Sequence, residues 1–560
     1  MTNESLVDWY EWGPEAFASA RDRDAPLAVF LTAPWCTWCD RMEREGFGSP
    51  MIAANVSEAF VPVRVDADRE PAVRERYQMG GFPSLVFLTP DGRLVTGATY
   101  LDPEGLRSVV ERVREVWTER GAETGRVPRA LQDPDPPRGA LDDRVEAHMA
   151  GQLEDSFDEQ FAGWGTDAKF PLPRTVEFAL KRDRQRALRT LDAVAGNLAD
   201  PDGGFYRYAT TRDWSDPHYE RLLDENAALL RAFANAYLHT GDEQYRDVAE
   251  NAVGYLTTTL WTDSDEETTD GGVTAETEPT GAFAGSQSGE DDYFERPVDD
   301  RGDADAPHVD ATAFADRNAL AVDALLWYHA YTDDDTARRY AATALDTVLD
   351  TLESDGVVAH HDGGPTFLIG DQARPCGALT TAAQVLGDER YVDAARRVAD
   401  RTVETLFVDG SLLDSPPADD ALGLLDRPLR PIDTTVEFAD ALVDLAVLTG
   451  EERYRETARE SLEAFAGARD RMGVDVAGYA TAAARVVDRP LTIEVTSDAG
   501  SDLHRAALRV ADHEKVVVPG ATVDGDPEDG DAPFARITAN GTHATATTPA
   551  ELQRRVPELN

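Results

Sequence analysis

The chain has 560 residues, with 54 Lys plus Arg against 106 Asp plus Glu and a formal net charge of −52. That length implies roughly two to four domains. The absence of any basic stripe to neutralise phosphates excludes nucleic acid as a partner, and a hydrophobic fraction of 42 %, with acids interleaved among apolar positions, excludes wholesale disorder. Only Lys169, Lys181 and Lys515 are lysines. Acid excess with arginine in place of lysine fits the cytoplasm of an extreme halophile, where salt screens the repulsion. Met1-Thr2-Asn3-Glu4-Ser5 shows no charged-then-apolar leader, and no apolar run reaches about 18 residues. The expectation is a soluble, cytoplasmic protein with no membrane partner.

In chain order, the apolar run 27–31 predicts a buried strand. It leads into Ala33-Pro34-Trp35-Cys36-Thr37-Trp38-Cys39, and 40–45 is helix-like. Amide groups and the helix dipole at such a terminus stabilise a thiolate on Cys36, and the thiolate is the species that attacks disulfides. Zinc requires a second ligand pair, and the one remaining cysteine is the isolated Cys376. No metal or other cofactor is expected. In a reducing compartment Cys36 and Cys39 then read as a catalytic or sensing pair. Residues 61–66 predict a second strand, and Tyr77-Gln78-Met79-Gly80-Gly81-Phe82-Pro83 precedes a third at 84–89. The turn Pro90-Asp91-Gly92, a strand at 93–96 and an amphipathic stretch at 101–117 follow. This β-α-β-α-β-β-α order resembles the thioredoxin fold. The resemblance implies that Pro83 is cis, lies opposite the cysteines and presents substrate backbone. Phe30 stands where thioredoxin itself carries a buried aspartate, so the usual proton acceptor for the second cysteine is absent.

Residues 121–140, with Pro128, Pro134, Pro136 and Pro137, predict a linker. Beyond it the sequence is helical and repetitive. Thr240-Gly241-Asp242-Glu243-Gln244-Tyr245, Thr332-Asp333-Asp334-Asp335, Leu386-Gly387-Asp388-Glu389-Arg390-Tyr391 and Thr449-Gly450-Glu451-Glu452-Arg453-Tyr454 each end one helix and open another with acids, whose charge suits a helix N-terminus. The interval between the first two holds an acidic, Gly/Thr-rich insert at 262–307. A spacing of 54 to 63 residues between phrases is too long for tetratricopeptide or HEAT units and fits helical hairpins. Gly-Gly phrases at 202–206 and 281–285 favour closure of those hairpins into an (α/α)6 toroid, with an open α-solenoid as the competitor. The expected division is a thioredoxin-like domain at 1–120, a linker at 121–140, an all-α toroid at 141–487, and a small α/β appendage with a partly ordered polar tail at 488–560.

Several phrases in fixed order then resemble the DUF255, or spermatogenesis-associated protein 20-like, family. They are Trp38-Cys39 with Met42 and Glu43, Gly81 through Pro90, Ala168-Lys169-Phe170-Pro171, Gly203-Gly204-Phe205, and Trp214 with Pro217 through Ala227. The resemblance implies a thioredoxin-like domain fused to a toroid similar to six-hairpin glycosidases and sugar epimerases, with a poorly defined reaction. Thr37 and Asp40 replace the family's histidines, Glu225 replaces a tyrosine, the family's Trp-Asn-Gly phrase appears only as Arg317-Asn318-Ala319, and the C-terminal cysteines of many members are absent.

In the toroid, Asp216-Pro217 predicts a helix start, an N-cap aspartate followed by proline at N1. His218, Glu220 and Asp224 then fall on its first two turns, with the two carboxylates on one face, as glycoside chemistry needs. Trp214, Arg207 and Tyr208 suit stacking on a sugar or core packing. Together Trp214, His218, Glu220, Asp224, Asn226 and Asn318 form the candidate toroid pocket, and Asp371, Asp433 and Glu437 extend it. His360-His361-Asp362 reads as a loop without a third ligand, and Cys376 as packed and inert. The expected activity is thiol–disulfide exchange or redox sensing by Cys36, Cys39 and Pro83 on a protein or small-molecule partner. The alternatives are saccharide hydrolysis or epimerisation in the funnel, and a non-catalytic scaffold.

Overall fold

In the computed structural model, residues 5–132, 135–263, 279–302, 304–418, 421–523 and 533–559 are described. Strands β1 (Tyr10–Glu11), β2 (Leu27–Thr32), β3 (Val61–Asp66), β4 (Ser84–Leu88) and β5 (Leu94–Ala98) form one sheet in the order β1-β3-β2-β4-β5. β2 runs parallel to β3 and antiparallel to β4. Every residue of β2 is buried, as a central strand covered on both faces requires. Its alternation sends Ala28 and Phe30 to the core that holds the cysteines, and Leu27, Val29 and Leu31 to the core on the other face. Helices α1 (Pro14–Arg23), α2 (Thr37–Met42), α3 (Pro50–Ala59), α4 (Pro71–Tyr77) and α5 (Pro103–Arg120) supply the covering layers. The thioredoxin-like arrangement is present, and the Phe82–Pro83 bond is cis.

The segment expected to be a linker is packed rather than free. Leu131 enters the sheet's second core, Arg126 pairs with Leu94, and Gly467 donates to Pro137.

The helices that follow are α6 (Arg144–Asp155), α7 (Pro173–Arg182), α8 (Arg184–Asn197), α9 (Leu223–Thr240) and α10 (Glu243–Thr258). After two short helices, α11 (Asp291–Phe294) and α12 (Val298–Arg301), come α13 (Ala315–Thr332), α14 (Asp335–Thr351), α15 (Ile369–Leu386), α16 (Glu389–Leu406), α17 (Ile432–Thr449), α18 (Glu452–Glu463) and α19 (Ala477–Asp488). The packing order α7-α9-α13-α15-α17-α19-α7 closes an inner ring. Five inner helices carry the outer helix that follows them, and α6 returns to cover α19. Six hairpins therefore close a toroid, which decides against the open solenoid.

The repeat phrases acquire a physical meaning here. α9, α13, α15 and α17 are each 18 residues long and end on a left-handed residue: Gly241, Asp333, Gly387 and Gly450. The next acid opens the outer helix, and Asp242, Asp334 and Asp388 cap it with their side chains. Tyr245, Tyr391 and Tyr454 then place their hydroxyls 3.1, 3.5 and 3.0 Å from Asp192, Asp346 and Asp400 on the preceding outer helix.

A second device recurs at the fourth residue of three inner helices. Asn226 accepts from the Phe205 amide at 2.7 Å and donates to the Phe205 carbonyl at 3.2 Å. Asn318 does the same with Phe283 at 2.8 and 2.9 Å, and Gln372 with Val358 at 3.1 and 2.8 Å. Each amide clamps the connecting loop's backbone to the ring and satisfies groups that burial would otherwise leave unpaired.

After the toroid, strands Thr492–Val495, Val516–Val518, Ala535–Ala539 and Thr542–Ala546 form a four-stranded sheet with α20 (Asp502–Leu508) and α21 (Pro549–Leu559). The polar tail is therefore more structured than its composition implies, with a hairpin and a helix whose Leu552 and Val556 are buried. Residues 524–532 lie outside the described residues. The appendage covers the C-terminal ends of the inner helices: the Gln384 side chain accepts from Val517 at 3.0 Å and its carbonyl contacts His504 at 2.8 Å.

Candidate functional site

Cys36 occupies the N-cap of α2. Its Sγ accepts the Cys39 amide at 3.1 Å, and the two cysteines form a disulfide with Cα atoms 5.2 Å apart. An amide aimed at Sγ favours negative charge there once the bond is reduced. Phe30 packs between Trp9 and Phe47. Cys36 is only 3 % exposed and Pro83 is buried, while Trp38, edge-on to Tyr100, stands 39 % exposed beside them.

Trp35 links this pair to the toroid. Its indole donates to Asp68 at 2.8 Å, and Asp68 takes a bidentate grip from Arg317 on α13 at 2.6 and 3.2 Å. Burial pushes the Asp68 carboxyl up, but Arg317 and the indole outweigh it and hold the group below its usual range. A face of the Trp35 ring carries the Arg207 guanidinium, 4.6 Å from the ring centre. Leu222, just before α9, enters the same apolar core as Cys36 and Cys39. The thioredoxin-like domain thus roofs part of the toroid mouth, with its redox pair turned toward it.

Further contacts fix the docking. Arg76 reaches Asp414 at 2.7 and 3.2 Å and the Leu424 and Arg427 carbonyls at 3.1 and 2.9 Å. Gly92 (φ +80°) lies against Gly423, where a Cβ would stand 2.2 Å from the Gly423 Cα.

Asp316, His360 and Asp371 gather with ligand-type atoms within 4.8 Å of one another, a cluster that the sequence reading did not assemble. His360 Nδ1 lies 2.9 and 3.0 Å from the Asp371 oxygens, and Nε2 lies 2.7 Å from the Asp68 carbonyl. Both partners only accept, so both nitrogens donate and the ring is an imidazolium with no lone pair for a metal. Burial pulls its pKa down, but Asp371 and Asp316 raise it to about 9.

The expected helix start at Asp216-Pro217 is not one. Trp214 and Asp216 adopt left-handed backbone (φ +65° and +59°), and Thr211 donates to the Ser215 carbonyl at 2.6 Å. These turns fold 208–218 into a hairpin in which Tyr208–Ala209 pairs with Pro217–His218. Proline is tolerated there because it lies on an edge. α9 begins only at Leu223, so Glu220 and Asp224 do not share a helical face. His218 stacks on Tyr208 at 4.4 Å and approaches Glu220 at 3.4 Å. Trp214 is buried and donates to the Phe161 carbonyl at 2.9 Å, while Asn226 and Asn318 spend their polar atoms on the loop clamps.

Glu225, named only as a departure from the family pattern, is what the mouth adds. It pairs with Arg207 at 3.3 Å and keeps 38 % of its side chain accessible. Burial, reinforced by Asp224 and Glu220 and opposed by Arg207, raises its pKa to about 7. Arg374 joins Asp316 at 2.7 Å to Glu437 at 2.9 Å across the mouth, and Asp433, in the first turn of α17, is raised by burial. Cys376 is fully buried, which lifts its thiol to about 12.

Residues 1–133 match the family described as "Protein of unknown function, DUF255". Over these residues the N-terminal region is similar to the DUF255 family. Human spermatogenesis-associated protein 20 is 34 % identical over 295 residues, 45 % of this chain and 37 % of that protein; the chain thus spans little more than a third of that relative's length. The Arabidopsis thaliana thioredoxin-like protein CITRX, chloroplastic, is 36 % identical over 70 residues, 12 % of this chain and 37 % of that one. Among solved structures, a sugar epimerase from a ruminal bacterium is similar over 56 % of this chain and 85 % of its own, at 12 % identity and a TM-score of 0.43. The thioredoxin-like domain carries the cysteines, Asp68 and the cis-proline; the mouth residues belong to the toroid. Among the described residues no helix is long and apolar enough to cross a membrane.

Proposed function

We propose that the thioredoxin-like domain performs thiol–disulfide exchange through Cys36 and Cys39, with Pro83 presenting substrate backbone. The observation that carries this reading is the disulfide at the start of α2, with the Cys39 amide directed at Cys36 Sγ. In the reduced protein the Cys36 thiolate attacks a substrate disulfide, forms a mixed disulfide and releases one substrate thiolate. The Cys39 thiolate then attacks Cys36 Sγ, closes the internal disulfide and releases the second, so two electrons pass from the pair to the substrate. The walls formed by Arg207 and Leu222 restrict the substrate to a small or extended disulfide. With the reduced chain and a peptide disulfide, thiol release is expected to disappear in Cys36→Ser; persistence in that variant overturns the reading.

One observation favours a second reading, acid–base chemistry on a hydroxylated substrate such as a saccharide at the mouth. Glu225, with a pKa of about 7 and a partly accessible side chain, is poised to donate and accept protons near neutrality. A saccharide that raises the melting temperature of the wild type and not of Glu225→Gln supports it; a panel of saccharides without effect on the wild type removes it.

A further inference from the structure

Away from the redox pair, the inner helices enclose a polar cavity of about 120 Å³. Lys515 reaches it from the appendage, on the turn that precedes Val516–Val518. The residue is 2 % exposed. Its Nζ donates to the Asp512 carbonyl at 3.0 Å and lies 5.3 and 5.5 Å from the ring centres of Trp327 and Tyr331. The other two lysines are differently placed: Lys169 pairs with Asp158 at 3.0 Å, and Lys181 with Asp512 and Glu514 at 2.9 Å each. Among the described residues no carboxylate comes within 4.0 Å of the Lys515 amine, in a chain of 106 acids. One carbonyl and two ring faces compensate a buried ammonium poorly. Burial accordingly favours the neutral amine and lowers its pKa to about 7.

The cavity has an approach. A vestibule of about 230 Å³ between the N-terminal ends of α7 and α17 and the turn before α19 shares Arg174, Glu437 and Gly478 with it. Arg174 stands at that junction 35 % exposed, and its carboxylate neighbours lie at 3.8 and 3.9 Å, so Arg174 itself makes no tight ion pair across the throat. Beyond it, Asn235, Thr381, Asp440 and Asp444 line the walls with groups that hydrogen-bond hydroxyls. Burial raises the carboxyls of Asp440 and Asp444, and Arg485, which donates to both, opposes it.

We propose that Lys515 is a nucleophilic amine that captures a small hydroxylated aldehyde or ketone as an imine within this cavity. The amine nitrogen attacks the carbonyl carbon and a C–N bond forms. The carbonyl oxygen then departs as water, carrying the two protons that the nitrogen gives up, so neither oxidant nor reductant is consumed. A cavity of about 150 Å³ accommodates benzene, so this one admits a compound of three or four carbons.

The test uses the wild-type chain, dihydroxyacetone and sodium cyanoborohydride at pH 7, with the reduced adducts located by peptide mass mapping. With a pKa of about 7, the free-amine fraction of Lys515 at neutral pH exceeds that of an ordinary lysine on the order of a thousandfold. The expected result is modification of Lys515 well ahead of Lys169 and Lys181, slowing as the pH falls below 7 and absent in Lys515→Met. Lys181 is an internal control, so the comparison does not depend on a variant's folding. Adducts on Lys181 with Lys515 untouched, or modification of Lys515 only after denaturation, overturn the proposal.

Discussion

Asp68 and His360 show how single side chains join the two domains. Asp68 receives the Trp35 indole from its own domain and Arg317 from the toroid, while its carbonyl receives His360. The imidazolium is stable only because Asp371 and Asp316 face it. Its folded pKa of about 9 lies above the ordinary 6.5, so its contribution is fully present below about pH 6.5 and is lost as pH rises through about 9. His360→Gln is therefore expected to cost at most about 3 kcal/mol near pH 6, and the difference from wild type shrinks toward pH 9.5. Urea denaturation at a series of pH values checks this; a difference constant across the range contradicts it. Glu225 titrates in a neighbouring window, but it is common to both proteins and drops out of the comparison.

The inner helix with its amide clamp is the unit from which the ring is built. Asn226→Ala or Asn318→Ala leaves a buried loop amide and carbonyl without partners, a loss of about 2–6 kcal/mol at roughly 1–3 kcal/mol per buried group. Chemical denaturation is expected to show that loss with thiol exchange unchanged. Unaltered stability with weakened small-molecule binding returns the asparagines to the pocket role that their sequence context implies. The cysteine strand and helix were legible because their signals are local: an unbroken apolar run, a motif and an amphipathic stretch. The hairpin ends were legible for the same reason, since a left-handed stop followed by an acidic cap lies within six residues. The hairpin at 208–218 was not, because Asp216-Pro217 suits a helix start and an edge strand equally, and left-handed Trp214 and Asp216 decide between them. The mouth was not legible either, since Asp68 and Arg317 are 249 residues apart and meet only through docking.

At the scale of the whole molecule, the toroid is closed differently at its two ends. The thioredoxin-like domain lies over part of the helix N-termini and turns its cysteines toward them, while the appendage seals the opposite end and introduces Lys515. Between them Arg231 is held by Glu177 and Asp323, and Arg485 by Asp440 and Asp444. The lumen of this strongly acidic chain is thus a lattice of compensated charges in which the Lys515 amine is an exception. The same enclosure leaves Cys36 only 3 % exposed, so size selection of the disulfide substrate is a property of the two domains together. The most direct test traps the intermediate. Full-length Cys39→Ser, mixed with a short peptide disulfide under native conditions, is expected to accumulate a mixed disulfide on Cys36, identified by peptide mapping, and to give none with a disulfide embedded in a flat globular surface. A native protein whose Cys36 stays unmodified by the peptide, while the denatured chain reacts, contradicts the exchange function.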